Sequence, residues 1–157
     1  EKEHVFSPYL LKEYRNRWYA VGYSYTANNI LILALDRIEG VKNSTAKYIA
    51  DHDFSPADFF KYSFGITQLN DGKSETVELL FKPVQAPYIL SQPLHHSQQI
   101  ISDDKNGLRI RLKVYITQEL IMCILSYAAN VKVLAPKKLL TEITRHIKEM
   151  GISYLKK

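Results

Sequence analysis

The chain has 157 residues, 46% hydrophobic and 24% charged, an ordinary balance for one globular domain or two small ones. Twenty-one lysines and arginines against 16 acidic residues leave a net charge of +5, which permits contact with phosphate without demanding it. The single cysteine, Cys123, excludes an intrachain disulfide, and no segment has the length of a membrane span or the pattern of a signal peptide, so the expected setting is the cytoplasm.

Residues 4–12 and 16–24 read as strands, and Thr26-Ala27-Asn28-Asn29 as a turn, because asparagine tolerates left-handed backbone. Strand alternation sends Trp18, Ala20 and Gly22 to one face and Arg17, Tyr19, Val21 and Tyr23 to the other. The first face is suited to burying an indole; the second offers a guanidinium and two phenols to a planar or anionic ligand. Ile30 to Leu35 is a continuous apolar run, the pattern of a strand buried on both faces, and Asp36 to Val41 leads out of the core. Short strands with tight turns predict a small closed β-barrel over residues 1–45.

Residues 46–74 read as a connector. Ser55 is a helix N-cap with Pro56 at the first helical position. Phe54, Phe59, Phe60, Tyr62 and Phe64 form an aromatic cluster expected to staple the connector down. Asn70 to Ser74 reads as a loop.

From Glu75 to the end the pattern is strand, helix, strand, strand, helix, strand, helix, a ferredoxin-like α/β order over 75–157. Val77, Leu79 and Phe81 alternate with Glu78, Leu80 and Lys82, and Gln85 to Gln92 forms a helix stopped by Pro93. Leu108, Ile110, Leu112, Val114 and Ile116 alternate with Arg109, Arg111, Lys113 and Tyr115, the mark of a sheet with one wet face. A helix capped by Thr117 runs through Ala129, with Ala128 inward and Asn130 as its stop. Cys123 is expected to be a buried, inert thiol on it. After a strand over Val131–Leu134, a helix from Pro136 turns Leu139, Leu140, Ile143, Ile147 and Met150 inward and ends at Gly151.

Three groups invite a functional reading. Arg17, Tyr19 and Arg37, with Tyr9 and Arg15 flanking, suit an anion site, because arginine binds phosphate bidentately and stacks on rings. The competing reading pairs Asp36 with a neighbouring arginine and leaves Arg15 at a hairpin tip. His95 and His96 are common metal-ligand types. On an extended segment, however, they point apart and lack a carboxylate or thiol partner, so a structural role or a ligand contact is expected and a metal is not. Arg109, Arg111 and Lys113 form a basic stripe able to follow a phosphate backbone. Glu75 and Glu78 on a neighbouring strand are able to balance it instead. Lys137, Lys138, Arg145 and Lys148 read as a solvated helix face. No catalytic motif is present, Asp51-His52-Asp53 reads as a solvated loop, and neither an enzyme nor a cofactor is expected.

Pro8-Tyr9-Leu10-Leu11, the run Tyr14-Arg15-Asn16-Arg17-Trp18-Tyr19-Ala20-Val21-Gly22-Tyr23, and Leu35-Asp36-Arg37-Ile38 resemble the WYL domain. Ala20 departs from the leucine of the Trp-Tyr-Leu run that names the family. Val77-Glu78-Leu79-Leu80-Phe81, Pro93-Leu94-His95-His96-Ser97-Gln98, Glu119-Leu120 and Val131-Lys132-Val133-Leu134-Ala135-Pro136 resemble its C-terminal extension. The resemblance implies an Sm-like barrel and a bacterial transcriptional regulator that senses a nucleotide or single-stranded nucleic-acid effector. It also implies DNA binding through an N-terminal helix-turn-helix domain, which does not precede this sequence, so a C-terminal piece lacking an upstream strand is expected. Binding at Arg17, Tyr19 and Arg37, within a homodimer, is the expected mechanism. The alternatives are a directly nucleic-acid-binding accessory module and a structural dimerisation unit.

Overall fold

The structure is a computed structural model and describes residues 2–51, 53–69 and 72–155. The chain divides into two compact units, Glu1–Phe60 and Lys61–Lys157.

The first unit is an antiparallel sheet in the order β1 (Phe6–Tyr14), β2 (Arg17–Ser24), β3 (Asn29–Ala34). Arg15 and Asn16, at φ 52° and 61°, close the β1–β2 hairpin, and Asn28, at φ 50°, serves the next turn. Among the described residues these strands form an open sheet, and no closed barrel over 1–45 is seen. Two expectations are corrected. Trp18 is 53% exposed, because it sits beside the hairpin tip, opposite Glu13. The Ile30–Leu35 run is half-buried or exposed, since β3 is an edge strand and Leu35 has already left it. Burial is concentrated instead at the centre of β2, in Ala20 and Val21. Gly22 is required there: a Cβ would collide with the Ser7 carbonyl oxygen and Pro8 Cα of β1.

Helix α1 (Pro56–Phe59) follows, with the Ser55 hydroxyl accepting from Asp58 N at 3.2 Å, the cap foreseen from sequence. The aromatic cluster divides. Phe54, Phe59 and Phe60 form a chain of ring contacts reaching Tyr9, whereas Tyr62 meets Tyr115 and Phe64 stacks on His95 in the second unit. The loop expected over Asn70–Ser74 falls partly on Asn70 and Asp71, and the Asp51–Asp53 trio includes His52; these three lie outside the described residues.

The second unit contains β4 (Glu75–Phe81), α2 (Ala86–Ser91), β5 (Gln99–Asp104), β6 (Gly107–Val114), α3 (Gln118–Ser126), β7 (Val131–Ala135) and α4 (Lys137–Leu155). The strands make one antiparallel sheet in the order β5-β6-β4-β7. Its core is the alternating face read from sequence: Val77, Leu79, Phe81, Leu108, Ile110, Leu112 and Val114 are fully buried. Ile89, Leu120, Ile124, Leu139 and Ile143 of the three helices pack into the same core.

The helix ends differ from expectation. α3 stops at Ser126, before an exposed Ala128 at φ 49°, so neither Ala128 nor Asn130 plays the predicted part, and Thr117 occupies the N-cap position without a side-chain cap bond. Cys123 is half-buried, one position from the exposed Met122. α4 runs through Gly151 to Leu155 because helix geometry tolerates a glycine where nothing else interrupts it. Leu139 and Ile143 point inward, but Leu140, Ile147 and Met150 are exposed. Lys137, Lys138, Arg145 and Lys148 are exposed, with Arg145 bridging Glu142 and Glu149.

Candidate functional site

In the first unit, β2 carries Arg17 and Tyr19 on one face, with Tyr19 opposite Lys12 and Ala34 in the neighbouring strands. Immediately after Ala34 a single 3-10 turn, Leu35–Arg37, brings Asp36 to 3.7 Å from Arg17 Nε, with both side chains about half exposed. The Asp36 pairing reading is therefore realised. An exposed pair of this kind contributes about 1 kcal/mol or less, and it leaves most guanidinium donors facing water. Arg37 is exposed on the same turn. Arg15 occupies the hairpin tip, its guanidinium 5.5 Å from the Tyr14 ring centroid. Tyr9 packs on Phe54 with ring centroids 5.2 Å apart, and burial, reinforced by Asp51, raises its phenol pKa.

In the second unit the open face of β6 carries Arg109, Arg111 and Lys113, opposite Leu80, Glu78 and Thr76 of β4. Glu78 neutralises two of the three. Its Oε1 accepts from Arg111 at 2.8 and 3.1 Å, and its Oε2 from Arg109. These bonds, Arg109 first, lower the Glu78 pKa. The expected balancing by Glu75 is corrected: that carboxylate faces Lys138 of α4 at 3.7 Å. Lys113 makes no ion pair among the described residues.

The His95–Gln98 segment is a turn, closed by Gln98 N donating to His95 O at 2.9 Å. The two imidazoles therefore lie side by side, ring centroids 4.0 Å apart, and do not point apart as an extended segment requires. His95 stacks on Phe64, and burial, with His96 adding, lowers its pKa to about 4, so it is neutral near pH 7. Ser97 Oγ accepts from Lys113 N at 2.9 Å and donates to Lys113 O at 3.3 Å. Gln98 accepts from Leu94 N and donates to Ile89 O. His95 and Gln98 thus fix the turn, and the turn delivers His96 to the face that carries Lys113. Among the described residues no group of three or more His, Cys, Asp or Glu is placed to hold a metal ion.

A cleft of about 330 Å³ lies on this face, lined by Lys61, Tyr62, Thr76, His96, Ser97, Gln99, Arg111, Leu112 and Lys113. Tyr62 O accepts from Tyr115 N at 2.8 Å, just beyond the end of β6, and the two rings meet edge-on at 77°. The ammonium groups of Lys61 and Lys113 lie 5.7 and 5.6 Å from the Tyr62 ring centroid. Cation–π contacts at exposed sites contribute about 0.5–1 kcal/mol each, enough to bias these side chains without locking them. The structure thus joins His96, Arg111 and Lys113, which sequence reasoning kept apart, and adds Lys61, Tyr62, Thr76 and Gln99, which it missed. Only the basic–aromatic pair Lys61-Tyr62 gave a signal, and it read as part of the connector.

Two family models match the chain: the WYL domain over residues 1–43 and the WCX domain over residues 73–151. The chain belongs to the WCX domain family and carries a WYL domain ahead of the WCX domain. Among solved structures it is similar to proteasome accessory factor B/C (PafBC) of Arthrobacter aurescens, at 19% identity and a TM-score of 0.40, over 92% of this chain and 22% of that one. No curated protein matches it.

Proposed function

We propose that the chain is the ligand-sensing, non-catalytic part of a bacterial transcriptional regulator that works in the cytoplasm. Its effector is a nucleotide or a short single strand, bound on the WYL unit through Arg17, Tyr19 and Arg37. The observation that carries this reading is the placement of Arg17 and Tyr19 on one face of β2, beside the turn that bears Arg37. The Arg17–Asp36 pair is weak and exposed, so a phosphate competes for the guanidinium at little cost. The WYL unit is read as an incomplete Sm-like barrel. The WCX unit is read as ferredoxin-like, supported by its strand order β5-β6-β4-β7. Effector binding acts on a DNA-binding domain elsewhere in the protein by favouring one arrangement of the regulator over another, which requires different affinity for the two.

The test is fluorescence anisotropy of a labelled short single strand and of a labelled mononucleotide at near-physiological salt. Arg17→Ala and Arg37→Ala each weaken binding about tenfold or more, the loss of one charge-assisted contact. Unchanged affinity in both variants removes the WYL site from the reading.

A second reading, self-association, is favoured by the exposed apolar residues Ile147, Met150, Tyr154 and Leu155 on the second half of α4. Sedimentation equilibrium of the wild type and of Ile147→Lys/Met150→Lys decides it: a dimer lost in the variant supports a homodimer through α4. Direct, non-sensing binding to nucleic acid is disfavoured, because Glu78 already neutralises Arg109 and Arg111.

A further inference from the structure

The open face of the WCX sheet poses an electrostatic problem that its own residues leave unsolved. The Lys61 and Lys113 ammonium groups lie 5.7 and 5.6 Å from the centroid of one ring, Tyr62, and Arg111, already paired with Glu78, lines the same cleft. No carboxylate lines it. The adjacent acid, Glu78, has one oxygen committed to Arg109 and the other to Arg111, and Glu75 faces Lys138. Neither Lys61 nor Lys113 makes an ion pair among the described residues. Two ammonium groups beside one ring, neither with a carboxylate partner among the described residues, favour an anion supplied from outside.

We infer that this cleft is a nucleotide site, separate from Arg17 and Arg37, in which Lys61 and Lys113 hold a phosphate and Tyr62 stacks the base. The remaining lining suits the rest of such a ligand. Gln99 brings an amide with both donor and acceptor capacity, Thr76 a hydroxyl, and His96 an imidazole, the groups that read base edges and sugar hydroxyls. A volume of about 330 Å³ sits at the small end of ligand clefts, roughly 300–1,000 Å³, which fits one nucleotide unit.

The platform is held in place before any ligand arrives. The Tyr62 backbone is tied to Tyr115 and its ring is braced edge-on by the Tyr115 ring. The Lys113 backbone is clamped on both its N–H and its carbonyl by Ser97. Fixed partners reduce the ordering cost of binding. The lysine side chains stay mobile enough to swing from ring to phosphate, as exposed cation–π contacts allow. The same chemistry is offered by a free mononucleotide and by one nucleotide of a single strand.

The experiment is calorimetric titration of the whole chain with four probes: inorganic phosphate, adenosine, adenosine 5′-monophosphate and a five-nucleotide single strand. The variants are Lys61→Met/Lys113→Met, Tyr62→Leu and, as a control on the other unit, Arg17→Ala/Arg37→Ala. Circular dichroism melts check folding. The monophosphate is expected to bind at least tenfold more tightly than phosphate or adenosine. Measured in the Arg17→Ala/Arg37→Ala background, the double lysine variant loses that affinity at least tenfold, and Tyr62→Leu loses most of its margin over phosphate. The Arg17/Arg37 variant keeps one nucleotide event, so this site stands or falls apart from the WYL reading. If the strand binds and the monophosphate does not, with the same lysine dependence, the occupant is a nucleotide within a strand. Equal affinity for phosphate and monophosphate overturns the nucleotide assignment. In the Arg17→Ala/Arg37→Ala background, nucleotide binding that survives addition of Lys61→Met/Lys113→Met in a folded protein, or its complete absence before that addition, overturns the site.

Discussion

The three-stranded sheet of the WYL unit and the four-stranded sheet of the WCX unit share antiparallel pairing and tight hairpins, yet only the second has a thick core. Each inward residue of β4 and β6 from Val77 to Val114 is fully buried, whereas β1 to β3 bury only Ala20 and Val21 among their apolar side chains. The difference lies in cover. Three helices of the WCX unit put Ile89, Leu120, Ile124, Leu139 and Ile143 on one face of its sheet. Among its described residues the WYL unit contributes one four-residue α-helix. A sheet covered on one side becomes a rigid plate with a dry face for stability and a wet face available to polar groups. A thinly covered sheet keeps its functional and stabilising residues on the same half-wet surfaces.

The sharpest way to break this contrast is to truncate one aromatic in each unit. Phe81→Ala is expected to cost about 3–5 kcal/mol, the range for a fully buried aromatic, and Trp18→Ala about 1 kcal/mol or less. Urea unfolding followed by circular dichroism measures both, and comparable losses would refute the contrast. Glycine substitutions come next. Gly107, at φ +124°, faces the Phe81 carbonyl, and Gly107→Ala should cost about 1–3 kcal/mol in the WCX unit. Gly22→Ala should instead loosen β1 from β2. Hydrogen exchange at amides of the WYL strands is then expected to quicken while that of β4 and β6 is unchanged.

A smaller effect is set by pH. His95 is held neutral in the fold, its pKa lowered from 6.5 to about 4 by burial. The unfolded chain therefore binds the proton first as pH falls. This contribution to stability is complete above about pH 6.5, declines below it and is lost by about pH 4. Melting midpoints between pH 7 and 4.5 should fall less steeply in His95→Gln than in the wild type. The mildest change is Glu78→Gln, which releases Arg109 and Arg111. Binding to a single strand should tighten roughly threefold to tenfold at low salt and become more salt-dependent. Unchanged binding would mean that the stripe takes no part in phosphate contact even when unneutralised.

Much of the WCX unit was legible because one face of its sheet is dry. Alternation from Leu108 to Val114 marked strand, face and core together, and the element order from Glu75 onward follows the chain as read. The second WYL turn was legible through Asn28, whereas Asn16, read as the start of a strand, belongs to the first turn. What failed depended on layers the local pattern does not carry. Trp18 and the Ile30–Leu35 run were read as buried for their hydrophobicity, but burial needs a covering element. Gly151 and Asn130 were read as helix stops, whereas Ala128 takes the left-handed backbone and α4 continues. His95 and His96 were read as extended, but the hydrogen bonds of Ser97 and Gln98 make a turn. The cleft was invisible for a similar reason: Lys61 and Tyr62 reach Lys113 only because Tyr62 pairs with Tyr115 beyond the end of β6.

The open sheets bear on how the protein behaves when concentrated. An exposed strand edge presents unpaired amides and carbonyls that invite a neighbouring chain to add a strand. At β1, Pro8 removes one donor and the register slips between Pro8 and Leu10. At β5, Asp103 and Asp104 place charge on the rim and the register slips between Ile100 and Ser102. Both interruptions spoil a straight template, so these edges resist the sheet-to-sheet growth that leads to fibrils and precipitation.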